Sequence, residues 1–149
     1  MKLMSLKRIS VAAALALVCT FANAGTFVVR GYGAGLDTRT VDVISDLVTE
    51  EFTRTFDAKK YGIVVHYSHI QIGNDNVCYA MTGVSRNVPD SRNQAIPAWS
   101  TKATYLIRNA GNLDGRQRQE CVVSAIRAAI KDLMSTDPEL VKSRSTASL

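Results

Sequence analysis

The sequence predicts an α+β domain in the order β-α-β-β-β-α: a four-stranded, mainly antiparallel sheet with two helices packed on one face. Three observations carry this. Apolar residues recur at steps of three or four in an early and a late segment, the period of a helix with one buried stripe. Between those segments the composition shifts to β-branched and aromatic residues interrupted by "GNDN", which reads as strands joined in a hairpin. Short connections favour antiparallel neighbours, and helices over one sheet face give a two-layer core.

The first 24 residues stand apart from this pattern. Lys2, Lys7 and Arg8 precede the apolar run from Val11 to Phe21, and Ala22-Asn23-Ala24 closes it with small residues at its ends. A charged start, a short apolar middle and a small-x-small end describe a cleaved export signal, residues 1–24. The run is shorter than the roughly 20 residues a bilayer-spanning helix needs, and no later segment is apolar enough to span a membrane. Cys19 raises lipidation as a rival, but Ala16 and Val18 are poor matches for the leucine and small residue that this processing favours. Residues 25–136 are then one domain and 137–149 a tail expected to fray. The mature chain is expected in the periplasm or secreted.

Within the domain, "TFVVR" (26–30) is the first strand, and Gly31, Gly33 and Gly35 provide a sharp connection or a bulged strand end. Asp37 is the expected N-cap of a helix from Thr38 to Phe56. Its buried stripe is Val41, Ile44, Val48, Phe52 and Phe56, with Leu47 beside them. The strand region follows, with "YGIVVHYSHIQIG" and "VCYAMTGVSR" flanking the turn and "KATYLIRNAG" after a long loop. Alternation puts Cys78, Ala80, Thr82 and Val84 on one face of the middle strand and Val77, Tyr79 and Met81 on the other. The last helix, Gly115 to Met134, opens with Asp114 and Gln117 at capping-box spacing. Its stripe is Val122, Ala125, Ile126, Ala129, Ile130 and Leu133.

Charge and cysteine content narrow the function classes. Three of the 18 basic residues lie in the signal and all 13 acids lie after it, so the mature chain carries only +2. Bases and acids are mixed along it, unlike the clustered basic face of nucleic-acid binders. Cys19 leaves with the signal, and Cys78 and Cys121 are expected to form one disulfide in an oxidising compartment. That bond would reach the start of the last helix, so the Cys78 face is the one helices cover, leaving Tyr79 and Met81 on an open face.

Several chemical motifs are absent or incomplete. The glycines are spaced G-x-G-x-G, with Leu36 where a dinucleotide-binding turn has its third glycine, and the strand order is not βαβαβ. His66 and His69 are three apart on a strand, which sends them to opposite faces and denies them a shared metal ion. No G-x-S-x-G elbow accompanies the serines, and Glu50 and Glu51 belong to a solvated helix face. No catalytic residue, metal site or cofactor is predicted, and an enzyme is not.

The stretch "NVPDSRNQAIPAWST" (87–101) is longer than most connections in compact domains. It holds the only tryptophan, Trp99, with Ile96 and Arg92, and follows Arg86; Trp and Arg are enriched at interface hot spots. Ile96 and Trp99 could alternatively fold back over the open face. The expected function is a small exported binding module acting through protein contacts, with Trp99, Ile96, Arg86, Arg92, Tyr79, Met81 and Tyr105 as its surface. The alternatives are an envelope-associated enzyme with a site assembled from distant residues, or a structural envelope protein.

Overall fold

The computed structural model describes residues 25–86 and 103–146. Its elements are β1 (Val29–Gly33), α1 (Thr40–Ile44), α2 (Glu50–Thr55), β2 (Tyr61–Ile72), β3 (Asp75–Arg86), β4 (Ala103–Ala110), α3 (Gly115–Ser135) and α4 (Pro138–Thr146). The strands form one sheet in the order β1-β2-β3-β4. β2–β3 and β3–β4 are antiparallel, while β1 lies parallel to β2. The α+β class is as predicted, and the sheet is mixed. Its parallel pair follows from the connection: α1 and α2 return the chain to the starting end of β1 before β2 begins.

The β2–β3 hairpin turns in two residues, Gly73 and Asn74, with Ile72 opposite Asp75. Gly73 has φ 59° and Asn74 a negative φ, the demand of a type II′ turn, whose first position favours glycine. So short a turn fixes the register of both 12-residue strands.

The early helix departs from the sequence expectation, because the stripe is interrupted and two short helices form. α1 has Arg39 as its N-cap, without a side-chain cap bond, so Asp37 does not cap it. α2 starts afresh at Thr49, whose hydroxyl accepts from the Phe52 N–H. At the break a contact from α3 takes the place of the helical bond: Arg127 Nη1 donates to the Val43 carbonyl at 2.8 Å. In a continuous helix that carbonyl would accept from Leu47, whose N–H bonds the Ile44 carbonyl instead. The expected stripe still packs inward, through Ile44, Val48, Phe52 and Phe56, with Val43 in place of Val41.

α3 matches its expected span within a residue. Asp114 accepts from the Gln117 N–H at 2.8 Å, and Gln117 accepts from the Asp114 N–H at 2.9 Å. All six predicted stripe residues are buried. They meet Ile63, Val65 and Tyr67 of β2 and Cys78, Ala80 and Val84 of β3 in one hydrophobic cluster that also takes in the α1–α2 residues and Val141. Val141 belongs to α4, which the sequence pattern did not announce. Asp137 accepts from the Glu139 N–H and Pro138 takes the first helical position, where its missing N–H costs nothing.

The Cys78–Cys121 disulfide ties β3 to α3 across this core, with Cα atoms 5.9 Å apart. Cys78 is fully buried, and its strand face is the one that α3 covers. Gly31 and Gly33 lie within β1, and both permit close approach. A Cβ at Gly31 would stand 1.9 Å from Thr40 Oγ1, and one at Gly33 would stand 1.8 Å from the Tyr67 carbonyl oxygen. Among the described residues, no helix is long and apolar enough to cross a membrane.

Candidate interaction surface

The strand register sorts the sheet residues into two faces. Residues opposite one another share a face, so Ile63–Val84, Val65–Thr82, Tyr67–Ala80 and His69–Cys78 lie under the helices. The other face carries His66, Ser68, Ile70 and Ile72 from β2, and Val77, Tyr79 and Met81 from β3. Tyr32 of β1 stands opposite His66 on this same face.

The exposure of that second face is uneven. Val64, Gly83 and Ser85, near the start of β2 and the end of β3, are buried. Tyr79 and Met81 are half-buried. Toward the hairpin, Ile70 is 47% exposed and Ile72 is 64% exposed, and Tyr32 at the sheet edge is 37% exposed. Isoleucines are among the residues most often buried, so two on alternate positions of one strand mark a continuous apolar row.

Polar groups edge the row. The Tyr32 ring stacks on His66 with centroids 5.2 Å apart and planes 19° from parallel. Arg108 donates to Asp75 in an ion pair between β4 and β3. The Asp75 hydrogen bond, with its charge in support, raises the Arg108 pKa above its ordinary value.

The sequence-predicted residues do not all converge here. Tyr79 and Met81 lie on the face opposite the helices, as the alternation predicts. Arg86 ends β3, exposed and opposite Tyr61, away from the hairpin. Tyr105 stands opposite Ala80, whereas Leu106 stands opposite Tyr79 and Thr104 opposite Met81. Its register position is therefore on the Cys78 face, one residue off the Tyr79–Met81 row. Trp99, Ile96 and Arg92 lie outside the described residues. Tyr32, Ile70 and Ile72 were missed by sequence reasoning, although the two-residue turn carries the signal. Counting back from Gly73–Asn74 places Ile70 opposite Val77 and Ile72 opposite Asp75.

The histidines occupy opposite faces, as their odd spacing predicts: His66 pairs with Met81 and His69 with Cys78. Among the described residues no group of three or more His, Cys, Asp or Glu side chains is placed to hold a metal ion. A carboxylate with a lowered pKa lies elsewhere, where the segment after α1 meets α3. There the Arg127 guanidinium grips both oxygens of Asp46 at 2.8 and 2.7 Å. These hydrogen bonds hold the Asp46 carboxyl below its ordinary range, with partial burial opposing and the Arg127 charge assisting. Comparison with known protein families, curated proteins and solved structures finds no match to this chain.

Proposed function

We propose that this chain is a small exported, non-enzymatic binding module that docks a protein partner on the hairpin end of the sheet face opposite the helices. Its export rests on the signal-like residues 1–24 and suits a domain held by a disulfide, a bond that persists in the periplasm or outside the cell. The observation that carries the binding reading is the row of Ile70 and Ile72, with Tyr32 at the sheet edge beside them. The helix-side core is complete without these residues, so their type is not required for folding. An apolar strip with an aromatic edge and a charged rim has the anatomy of a protein interface.

The test compares mature wild-type protein with the Ile70→Lys/Ile72→Lys variant as baits against the native envelope fraction. The reading requires a stoichiometric protein retained by the wild type and lost by the variant, at a melting temperature within about 5 °C of the wild type. Two surface substitutions at about 0.5 kcal/mol each shift the melting temperature of a domain this size by about 4 °C, so this control can be met. Identical capture by both baits, or no capture by either, would sink the proposal.

A further inference from the structure

A second concave feature lies on the other side of the sheet. The glycine-rich connection after β1, the far end of β2 and the first turns of α3 surround an open cleft of roughly 330 Å³, lined by Ala34, Gly35, Asp37, His69, Gly115, Arg118 and Gln119. Its size is at the small end of the range for small-molecule sites, about 300–1,000 Å³. One carboxylate, one guanidinium, one imidazole and one primary amide therefore share a single small space.

The protein orients the imidazole and places a proton on one of its nitrogens. Asn76 is buried, and its side-chain N–H donates to the Gly111 carbonyl. The Asn76 amide oxygen therefore faces His69 Nε2, 2.8 Å away. Because that oxygen only accepts, Nε2 must carry the proton, and in neutral His69 the lone pair resides on Nδ1. Packing holds the loop wall in place: Gly35 has φ 89°, and a Cβ there would sit 3.4 Å from Val122 Cγ2 and 3.9 Å from His69 Cβ. Neither Asp37 nor Arg118 forms an ion pair among the described residues, whereas Arg39, Arg108, Arg116 and Arg127 each do.

From this placement we infer that the cleft binds a small zwitterion, an α-amino acid or a dipeptide. Arg118 takes the ligand carboxylate through its paired N–H donors, the arrangement that makes guanidinium–carboxylate contacts strong. Asp37 accepts from the ligand ammonium, while His69 Nδ1 and the Gln119 amide offer the remaining acceptor and donor. The charges of the lining balance, which disfavours a phosphate dianion beside Asp37. Among the described residues no Phe, Tyr or Trp lines the cleft, so a nucleobase lacks the large apolar rings that would sandwich it there. This inference is independent of the proposed protein interface, which lies on the opposite sheet face.

The experiment titrates the mature, oxidised protein with glycine and with glycylglycine, following the Gly35 and Arg118 amide resonances and the His69 ring by NMR. N-acetylglycine, which lacks the ammonium, and glycinamide, which lacks the carboxylate, are the controls. Saturable shifts at all three positions are expected with at least one zwitterion, with each control weaker by about tenfold or more, a 1.4 kcal/mol difference. Glycine against glycylglycine distinguishes a free amino acid from a peptide. Arg118→Ala and Asp37→Asn should each weaken binding about tenfold with the melting temperature unchanged, since both side chains are exposed. Absence of saturation at about 20 mM zwitterion, equal binding of either control, or undiminished binding by Arg118→Ala would overturn the inference.

Discussion

Replacing Arg127 with alanine removes two kinds of contact at once, and the structure separates their contributions. One is the forked ion pair with Asp46, whose side chains are 34% and 61% exposed. Solvent at that exposure limits such a pair to roughly 0.2–1 kcal/mol. The other is the bond from Nη1 to the Val43 carbonyl, a charged donor on a partly buried acceptor that has lost its helical partner. A hydrogen bond of that kind contributes about 1.5–3 kcal/mol. Arg127→Ala should therefore cost about 2–4 kcal/mol, whereas Asp46→Asn, which leaves the carbonyl contact in place, should cost about 1 kcal/mol or less. Urea unfolding of the two single variants and the double variant measures both figures. The Asp46 component also has a pH signature. Because its folded-state pKa is depressed, its contribution is complete above the usual carboxylate range and is lost as pH falls below about 4. The carbonyl component stays constant there, since the guanidinium remains charged. Equal losses in the two single variants would refute the reasoning, because the Val43 contact would then contribute nothing.

Two further perturbations test the packing between layers. Converting both Cys78 and Cys121 to alanine opens a loop whose ends are 43 positions apart, and the chain-entropy relation puts the loss near 4 kcal/mol. Chemical denaturation should show it, and a loss under about 1 kcal/mol would mean that the disulfide is not what holds β3 to α3. Gly31→Ala sets a methyl group against the Thr40 side chain. It should destabilise by about 1–3 kcal/mol as an overpacked contact, with at least half recovered in the Gly31→Ala/Thr40→Ala double variant. A neutral Gly31→Ala, read by thermal melting, would contradict the close α1–β1 approach.

Sequence periodicity reached furthest where one element answers to one neighbour. The α3 stripe and its capping box were legible because a single face packs on the sheet and the cap is local. The disulfide was legible because the two cysteines beyond residue 24 allow one pairing. The split between α1 and α2 was not, since the donor that satisfies the Val43 carbonyl there is Arg127, more than 80 residues later in the chain. The periodic stripe survives the break because Val48, Phe52 and Phe56 still face the same core. The parallel pairing of β1 depends on where α1 and α2 deliver the chain, a property of their packing. For α4 a signal existed: Asp137 followed by Pro138 is an N-cap and first-turn pair, but the short segment lacks the apolar repeat that would draw attention to it.

The apolar row was harder to see because β2 follows two patterns in succession. Its first half, "GIVV" from Gly62 to Val65, is a continuous run and is buried on both sides, as expected of a strand covered on both faces. From His66 onward the residues alternate, Tyr67 buried and Ser68 half-buried, until Ile70 and Ile72 stand exposed. A uniform one-sided strand would place polar residues at those two positions. Their presence where the alternation calls for polar side chains is the informative departure, since neither is required to complete the helix-side core. The same change of pattern locates the proposed interface along the strand: the end near Val64 is already covered, so a partner needs to cover only the hairpin half. Substitutions at Ile70 and Ile72 therefore test binding with little penalty to folding, whereas one at Val64 would confound the two.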